Sequence, residues 1–298
     1  MKSYYSHIVK TIFLLFIITT SFQALSQDKL KIFISVDMEG IGGVGTPKMT
    51  SSGGKDYTTS RQLMTNEVNT VVAAIFEFGD ADILINDSHG DMQNLLHLQL
   101  DPRVTYLQSN IKPLGMVQGL DNTFDAAIFI GYHAKAGSLG GFLAHTGSGS
   151  VKGLWINNIE VGEGGLNALF SGALGVPVIL ASGDDKFSDE FTKIVDTRTV
   201  ITKTAVGSSA AKLIHPDIVK ERLKIKTTDA LKNIKSAKPF TVSNPITIRF
   251  KSSTTTRADI VMSIPNMKRI DGTMVEYKAK NMDEAYRLIR VMYKYISW

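Results

Sequence analysis

Two carboxylates, Asp37 and Glu39, stand two positions apart at the end of the apolar run Ile32-Phe33-Ile34-Ser35-Val36. In extended chain, residues i and i+2 face the same side, so both can converge on one point. Converging carboxylates repel unless a cation, a shared proton or solvent intervenes. On this stretch alone, a cation site and an exposed acidic turn are equal readings. Two histidines shift the balance. His89 follows Ile83-Leu84-Ile85-Asn86-Asp87-Ser88, and His133 follows Ala126-Ala127-Ile128-Phe129-Ile130-Gly131-Tyr132. Carboxylate oxygens and imidazole nitrogens gathered in one place suit a divalent cation. The chemistry such a site supports is hydrolysis by an activated water.

These residues meet only if the segments before them are neighbouring strands of one sheet. Between the first two, a helix is predicted from Thr59 or Ser60, either of which suits its cap. It carries Leu63, Met64, Val68, Val71, Val72, Ile75 and Phe76 on one face and ends at Gly79. The strand–helix–strand rhythm implies parallel strands joined by crossovers, an α/β architecture with Asp37, Glu39, His89 and His133 at one carboxyl edge. A further strand from Val176 ends in Asp184 and Asp185, placed to bind a substrate amine or to support the ligands. Asp87 is expected to orient His89 through its second ring nitrogen.

The Gly/Ser-rich segment 137–153 carries His145 and reads as a loop over the same edge. Residues 154–161 read as a hairpin turning at Asn157-Asn158. Glu163 then stands at the entrance of an apolar helix, where it is equally a partner of the helix dipole, a metal ligand or a general base. Gly40-Ile41-Gly42-Gly43-Val44-Gly45 matches GxGxxG, but a Pro- and Gly-containing loop follows instead of a helix, and two adjacent carboxylates would repel a pyrophosphate. No GxSxG elbow lies between a strand and a helix, which disfavours a serine hydrolase.

The rest of the chain sets the frame. Its 298 residues are 43% hydrophobic and 20% charged, as in ordinary globular proteins. The formal charge of +5 includes Lys2 and Lys10, and no Lys/Arg-rich block exists to hold nucleic acid. Those two lysines precede the apolar stretch 11–20 and the small-x-small site Ala24-Leu25-Ser26. Residues 1–26 therefore read as a signal peptide, with a periplasmic or extracellular mature protein and no stable membrane insertion after cleavage. There is no cysteine, hence no disulfide, thiolate ligand or lipid-anchored N-terminus. The mature chain, 27–298, divides into a metal-site portion (27–185) and a C-terminal α+β portion (186–298). In the latter, 208–231 reads as helix, 246–250 and 258–264 as strands, and 282–296 as a closing helix. That portion reads as scaffold, substrate wall or subunit contact. His97 and His215 read as structural.

Five ordered motifs, SVDMEG (35–40), NDSHG (86–90), FIGYHA (129–134), VGEGGLNA (161–168) and ASGDD (181–185), resemble those of the bacterial DppA-type D-aminopeptidases. The resemblance implies a three-layer α/β/α fold with a largely parallel or mixed central sheet. It also implies two zinc ions per subunit held by Asp37, Glu39, His89, His133 and Glu163, with Asp37 bridging, and His145 as catalytic residue. Manganese or cobalt suits the same ligands. It implies a homo-oligomer too, since members of that family form a ring-shaped decamer.

The expected function is therefore an exported dinuclear zinc aminopeptidase. It would hydrolyse short peptides with N-terminal D-amino acids, such as D-alanine, by a metal-bound hydroxide. The alternatives are an amidase or L-aminopeptidase on the same metal site, and a non-catalytic peptide-binding protein of a transport system.

Overall fold

The computed structural model describes residues 29–295. The expected export segment, residues 1–26, lies outside them.

The chain opens with strand β1 (Leu30–Val36), helix α1 (Tyr57–Phe78) and strand β2 (Ala81–Asp87), followed by a short β3 (Thr105–Leu107) and β4 (Ala126–Tyr132). It then makes an excursion through the hairpin β5 (Val151–Ile156) and β6 (Ile159–Glu160) and helix α2 (Glu163–Ala173). Next come β7 (Val178–Asp184), α3 (Asp185–Phe191), β8 (Arg198–Gly207), β9 (Ala210–Leu213) and α4 (Pro216–Lys232). The last elements are β10 (Ile246–Ser252), α5 (Thr255–Val261), β11 (Lys268–Arg269), β12 (Met274–Ala279) and α6 (Met282–Arg290), which runs on into a π turn, Val291–Tyr295.

The main sheet has the order β3-β2-β1-β4-β7-β8-β9 and is parallel except for β9. Its strands alternate between two cores, as period-two side chains must. Ile32, Ile34 and Val36 of β1, with Ile128 and Ile130 of β4, pack with Met64, Val68, Val72 and Ile75 of α1 and Val219 and Leu223 of α4. Phe33 and Phe129 face the other way, joined by Tyr132 beyond the break in alternation at the positive-φ Gly131, onto Leu166, Leu169 and Phe170 of α2 and Tyr286 and Ile289 of α6. Each such large side chain, once buried, contributes about 1.5–3 kcal/mol. The result is the expected three-layer α/β/α arrangement. A second, antiparallel sheet, β11-β12-β10-β5-β6, lies on the α2/α6 side. The chain moves between sheets: β5 and β6 belong to the second, β8 and β9 to the first. Residue 185, where the sequence suggested a division between portions, falls at the first residue of α3.

Several local expectations are corrected. Helix α1 begins at Tyr57, ahead of Thr59 and Ser60; the turn closed by Tyr57 N–H on Gly54 O and the bond from Tyr57 OH to Asn94 Oδ1 (2.7 Å) hold the extra residues. Residues 210–213 are strand β9 rather than helix, because they pair with β8; α4 starts only at Pro216, with His215 as its cap. The expected strand at 258–264 is largely helix α5, begun where the Thr254 hydroxyl accepts from Arg257 N–H. The Asn157-Asn158 turn forms as read, both residues having positive φ.

Two glycines bring the strand ends together. The Gly40 N–H donates to Gly131 O at 2.7 Å, and a Cβ on Gly40 would collide with the Tyr132 carbonyl. Gly131 has φ +72°, and a Cβ there would strike the Asp37 carbonyl. With those side chains absent, the segments carrying Asp37 and His133 run nearly in contact.

Candidate active site

Strand order reverses beside β1: the chain goes outward through β2 and β3, then returns to the other side with β4. Clefts at such switch points, beyond the carboxyl ends of the strands, are where open α/β sheets bind ligands. Asp37, His89 and His133 all lie there, just past β1, β2 and β4. Glu39 follows on the same turn, Glu163 is the first residue of α2, and His145 sits on the β4–β5 loop.

The structure gathers all six into one buried cluster, with His145 the most accessible. His89 Nδ1 lies 3.1 Å from Asp37 Oδ1 and 2.9 Å from Glu39 Oε2. His133 Nε2 lies 3.4 Å from Asp37 Oδ2 and 3.6 Å from Glu163 Oε2. Asp37 thus offers one oxygen to each of two groups: Glu39 with His89, and His133 with Glu163. His145 Nε2 is 3.5 Å from Glu163 Oε1, and the Gly147 N–H donates to that same oxygen at 2.5 Å.

The outer ring nitrogens reveal what faces the carboxylates. A carbonyl can only accept, so His89 donates from Nε2 to Thr50 O (2.7 Å), His133 from Nδ1 to Ala134 O (2.9 Å) and His145 from Nδ1 to Leu143 O (2.8 Å). In a neutral imidazole the remaining nitrogen then bears a lone pair, and in all three rings that nitrogen points at carboxylate oxygen. Lone pair against lone pair at these distances requires a positive charge between them, either a proton or a metal ion. Among the described residues, His133 Nε2 and Glu39 Oε2 are buried with no hydrogen-bond partner. Nitrogen and oxygen donors, one carboxylate shared between two groups, and orphaned ligand atoms all fit divalent cations.

The titration behaviour agrees. Burial disfavours charge on His89 and His133, yet the adjoining carboxylates, Glu39 for the first and Glu163 for the second, hold both pKa values well above the ordinary range. Burial likewise works against Glu39 and Glu163. Even so, the facing imidazoles hold Glu39 well below the usual carboxylate range and Glu163 at about 2. Asp37 goes the other way, raised by burial and by the charge of Glu39. The cluster is electrostatically tied together by positive charge on its imidazole side, which metal ions can take over.

One supporting assignment changes and another is narrowed. Asp87 does not touch His89. It accepts from Asn94 N–H (2.6 Å), Asn94 Nδ2 (2.8 Å) and Leu95 N–H (2.9 Å), and Asn94 in turn donates to the His89 carbonyl. The ring is oriented instead by the carbonyl of Thr50, a backbone contact with no side-chain signature. Of the two roles open to Asp184, the structure favours support: it caps α3 and accepts from Ala134 N–H, steadying the turn after His133. Asp185 accepts from Ala205 N–H on β8.

Behind the cluster, a buried pair holds the Gly40–Gly45 turn. Lys203 Nζ donates to the carbonyls of Glu39 and Val44, and Glu67 Oε1 accepts from Gly42 N–H at 2.6 Å. In front lies a cavity of about 140 Å³ lined by Asp37, Glu39, His89, His145 and Glu163 and, from the C-terminal helix, Arg290, Tyr293 and Lys294. Those last three were not singled out from sequence. Their i, i+3, i+4 spacing, which puts them on one helical face, was the available sign.

A doubly wound sheet with carboxylates and imidazoles clustered at its switch point is the construction of a metal-dependent enzyme. Comparison with known proteins names the kind. The peptidase M55 family, described as D-aminopeptidase, matches residues 30–291. A D-aminopeptidase of Bacillus subtilis (strain 168) is 36% identical over 265 residues, covering 88% of this chain and 96% of the relative. Among solved structures, the Zn-dependent D-aminopeptidase DppA from Bacillus subtilis, described as a self-compartmentalizing protease, superposes with a TM-score of 0.87 at 35% identity, over 90% of this chain and 98% of that one. The chain belongs to the M55 D-aminopeptidase family and is a hydrolase of peptide bonds. The non-catalytic transport protein is set aside.

Proposed function

We propose that this chain is an exported, zinc-dependent aminopeptidase that removes N-terminal D-amino acids, D-alanine among them, from short peptides. The observation that carries the reading is the sharing of Asp37 between two carboxylate–imidazole groups whose lone pairs face one another. Asp37, Glu39 and His89 would hold one ion, and Asp37, His133 and Glu163 the other. Three carboxylates leave a net +1 on two divalent ions. Zinc is supported by the Zn-dependent structural relative and by the mixed nitrogen and oxygen donors; manganese and cobalt suit the same ligands.

A pair of divalent ions held there would polarise the scissile carbonyl and bring the pKa of water to near neutrality. The chain's own residues do the rest. His145, its Nδ1 proton engaged by Leu143 O, presents Nε2 to the cavity and can pass a proton to the departing amine. Its side chain is 30% exposed, so it reaches substrate where the fully enclosed His133 does not.

Export is supported by Lys2 and Lys10, the apolar stretch 11–20 and Ala24-Leu25-Ser26. Among the described residues no helix is long and apolar enough to cross a membrane. A homo-oligomer is supported by the structural relative described as a self-compartmentalizing protease, with a ring-shaped decamer as the expected form.

The test is an assay of the mature protein on D- and L-alanyl dipeptides, before and after chelation and zinc replacement. Turnover of the D-alanyl peptide that chelator abolishes and zinc restores is the expected result. Failure on every peptide with zinc, manganese or cobalt overturns the proposal, and faster cleavage of the L-peptide replaces it with an L-aminopeptidase.

A further inference from the structure

The cavity has two chemically distinct ends. Asp37, Glu39 and Glu163 line one part of it, while Arg290 and Lys294 enter from the C-terminal helix. A short unblocked peptide cut at its amino-terminal bond beside the first end turns its own carboxylate towards the second. We propose that Lys294, backed by Arg290, receives the terminal carboxylate of the peptide, so that the enzyme selects short substrates with a free C-terminus. The proposal rests on the aminopeptidase reading above and adds to it the group recognised at the other end of the substrate.

The setting of Lys294 favours this role over a purely structural one. Its ammonium makes one long hydrogen bond, 3.4 Å to Gly90 O, and has no carboxylate within ion-pairing reach among the described residues. It is half-buried, and burial, followed by the Arg290 charge, works against its protonated form. Arg290 is fixed in place: Nη1 donates to Tyr293 OH at 2.8 Å and Nη2 to Lys112 O at 3.1 Å. Tyr293 itself packs against Gly147, where any Cβ would meet its ring. The cationic wall is therefore anchored to the same loop that carries His145. Reach does the rest, since an extended chain advances about 3.3–3.6 Å per residue. A cation on a fixed wall of so small a cavity meets the carboxylate of a dipeptide more readily than that of a long chain.

The experiment compares kcat/KM of the zinc-loaded full chain on D-alanyl-D-alanine and on D-alanyl-D-alaninamide, which differ only in the terminal charge. The acid should be preferred by about tenfold to a hundredfold, the range for a charge-assisted hydrogen bond. In Lys294→Met that ratio should fall towards one, and in Lys294→Arg it should persist. Equal preference in the wild type, or loss of both substrates in the same proportion in Lys294→Met, overturns the assignment while leaving the aminopeptidase standing. No turnover of either substrate by the wild type overturns both.

Discussion

His145 lies flat against His133, ring centroids 4.0 Å apart and planes 14° apart, and each presents its Nε2 to Glu163. One ring is sealed inside and the other is open to the cavity. That division suits the enclosed ring to a ligand's role and the open one to a proton donor's. His145→Ala should lower kcat by about 10²–10⁴-fold, with both metals still present by elemental analysis. Because His133, His145 and Glu163 also lie close enough to share an ion, loss of one metal would move His145 into the ligand set.

Asp37 supports the second prediction. Its two oxygens face different groups, so Asp37→Ala should empty both metal positions, whereas Glu39→Ala or Glu163→Ala should empty one. Metal content per chain, measured after gel filtration, decides it. A variant at Asp37 that retains one ion would break the sharing.

Stability should carry a pH signature from Glu67. Burial pushes its carboxyl up to about 7 from an ordinary 4.5, against the pull of the Gly42 N–H and Lys203. Folding therefore favours the protonated form. The stability associated with it is complete below the unfolded value and is lost as pH rises through the folded one, a change of about 3 kcal/mol. Glu67→Gln keeps an acceptor for Gly42 and does not titrate. Its melting temperature relative to wild type should rise between about pH 5 and 8; a flat difference would mean that Glu67 ionises freely.

The ligand-type residues were legible because each follows a strand whose apolar run is unmistakable, and because parallel strands must end at one edge. Asp37, His89 and His133 need nothing beyond that. Glu163 was legible as a helix entrance, but its partnership with His133 depends on how α2 returns from the second sheet. Less visible were contacts made by backbone or by distant chain. The carbonyl of Thr50 that orients His89 leaves no mark on residue type. Lys203 reaches Glu39 across 164 positions, so its burial could not be read from its neighbours in β8. Residues 258–264 are ambiguous in sequence because their apolar content suits a strand as well as a short helix, and the Thr254 cap is the local sign that favours the helix.

The path of the chain between the two sheets also orders events in time. Leu154 of β5 finds its partner Phe250 only when β10 has been made, and Arg290 reaches the carbonyl of Lys112 across 178 positions. Contacts so far apart in sequence close late, since the entropy of long loops must be met before they repay it. The strand ends bearing Asp37, His89 and His133 belong to the first half of the chain, and the cavity wall belongs to its end. A partly folded or partly synthesised chain therefore has ligands without an enclosure. The peptidase comes into being with its own last turn of helix.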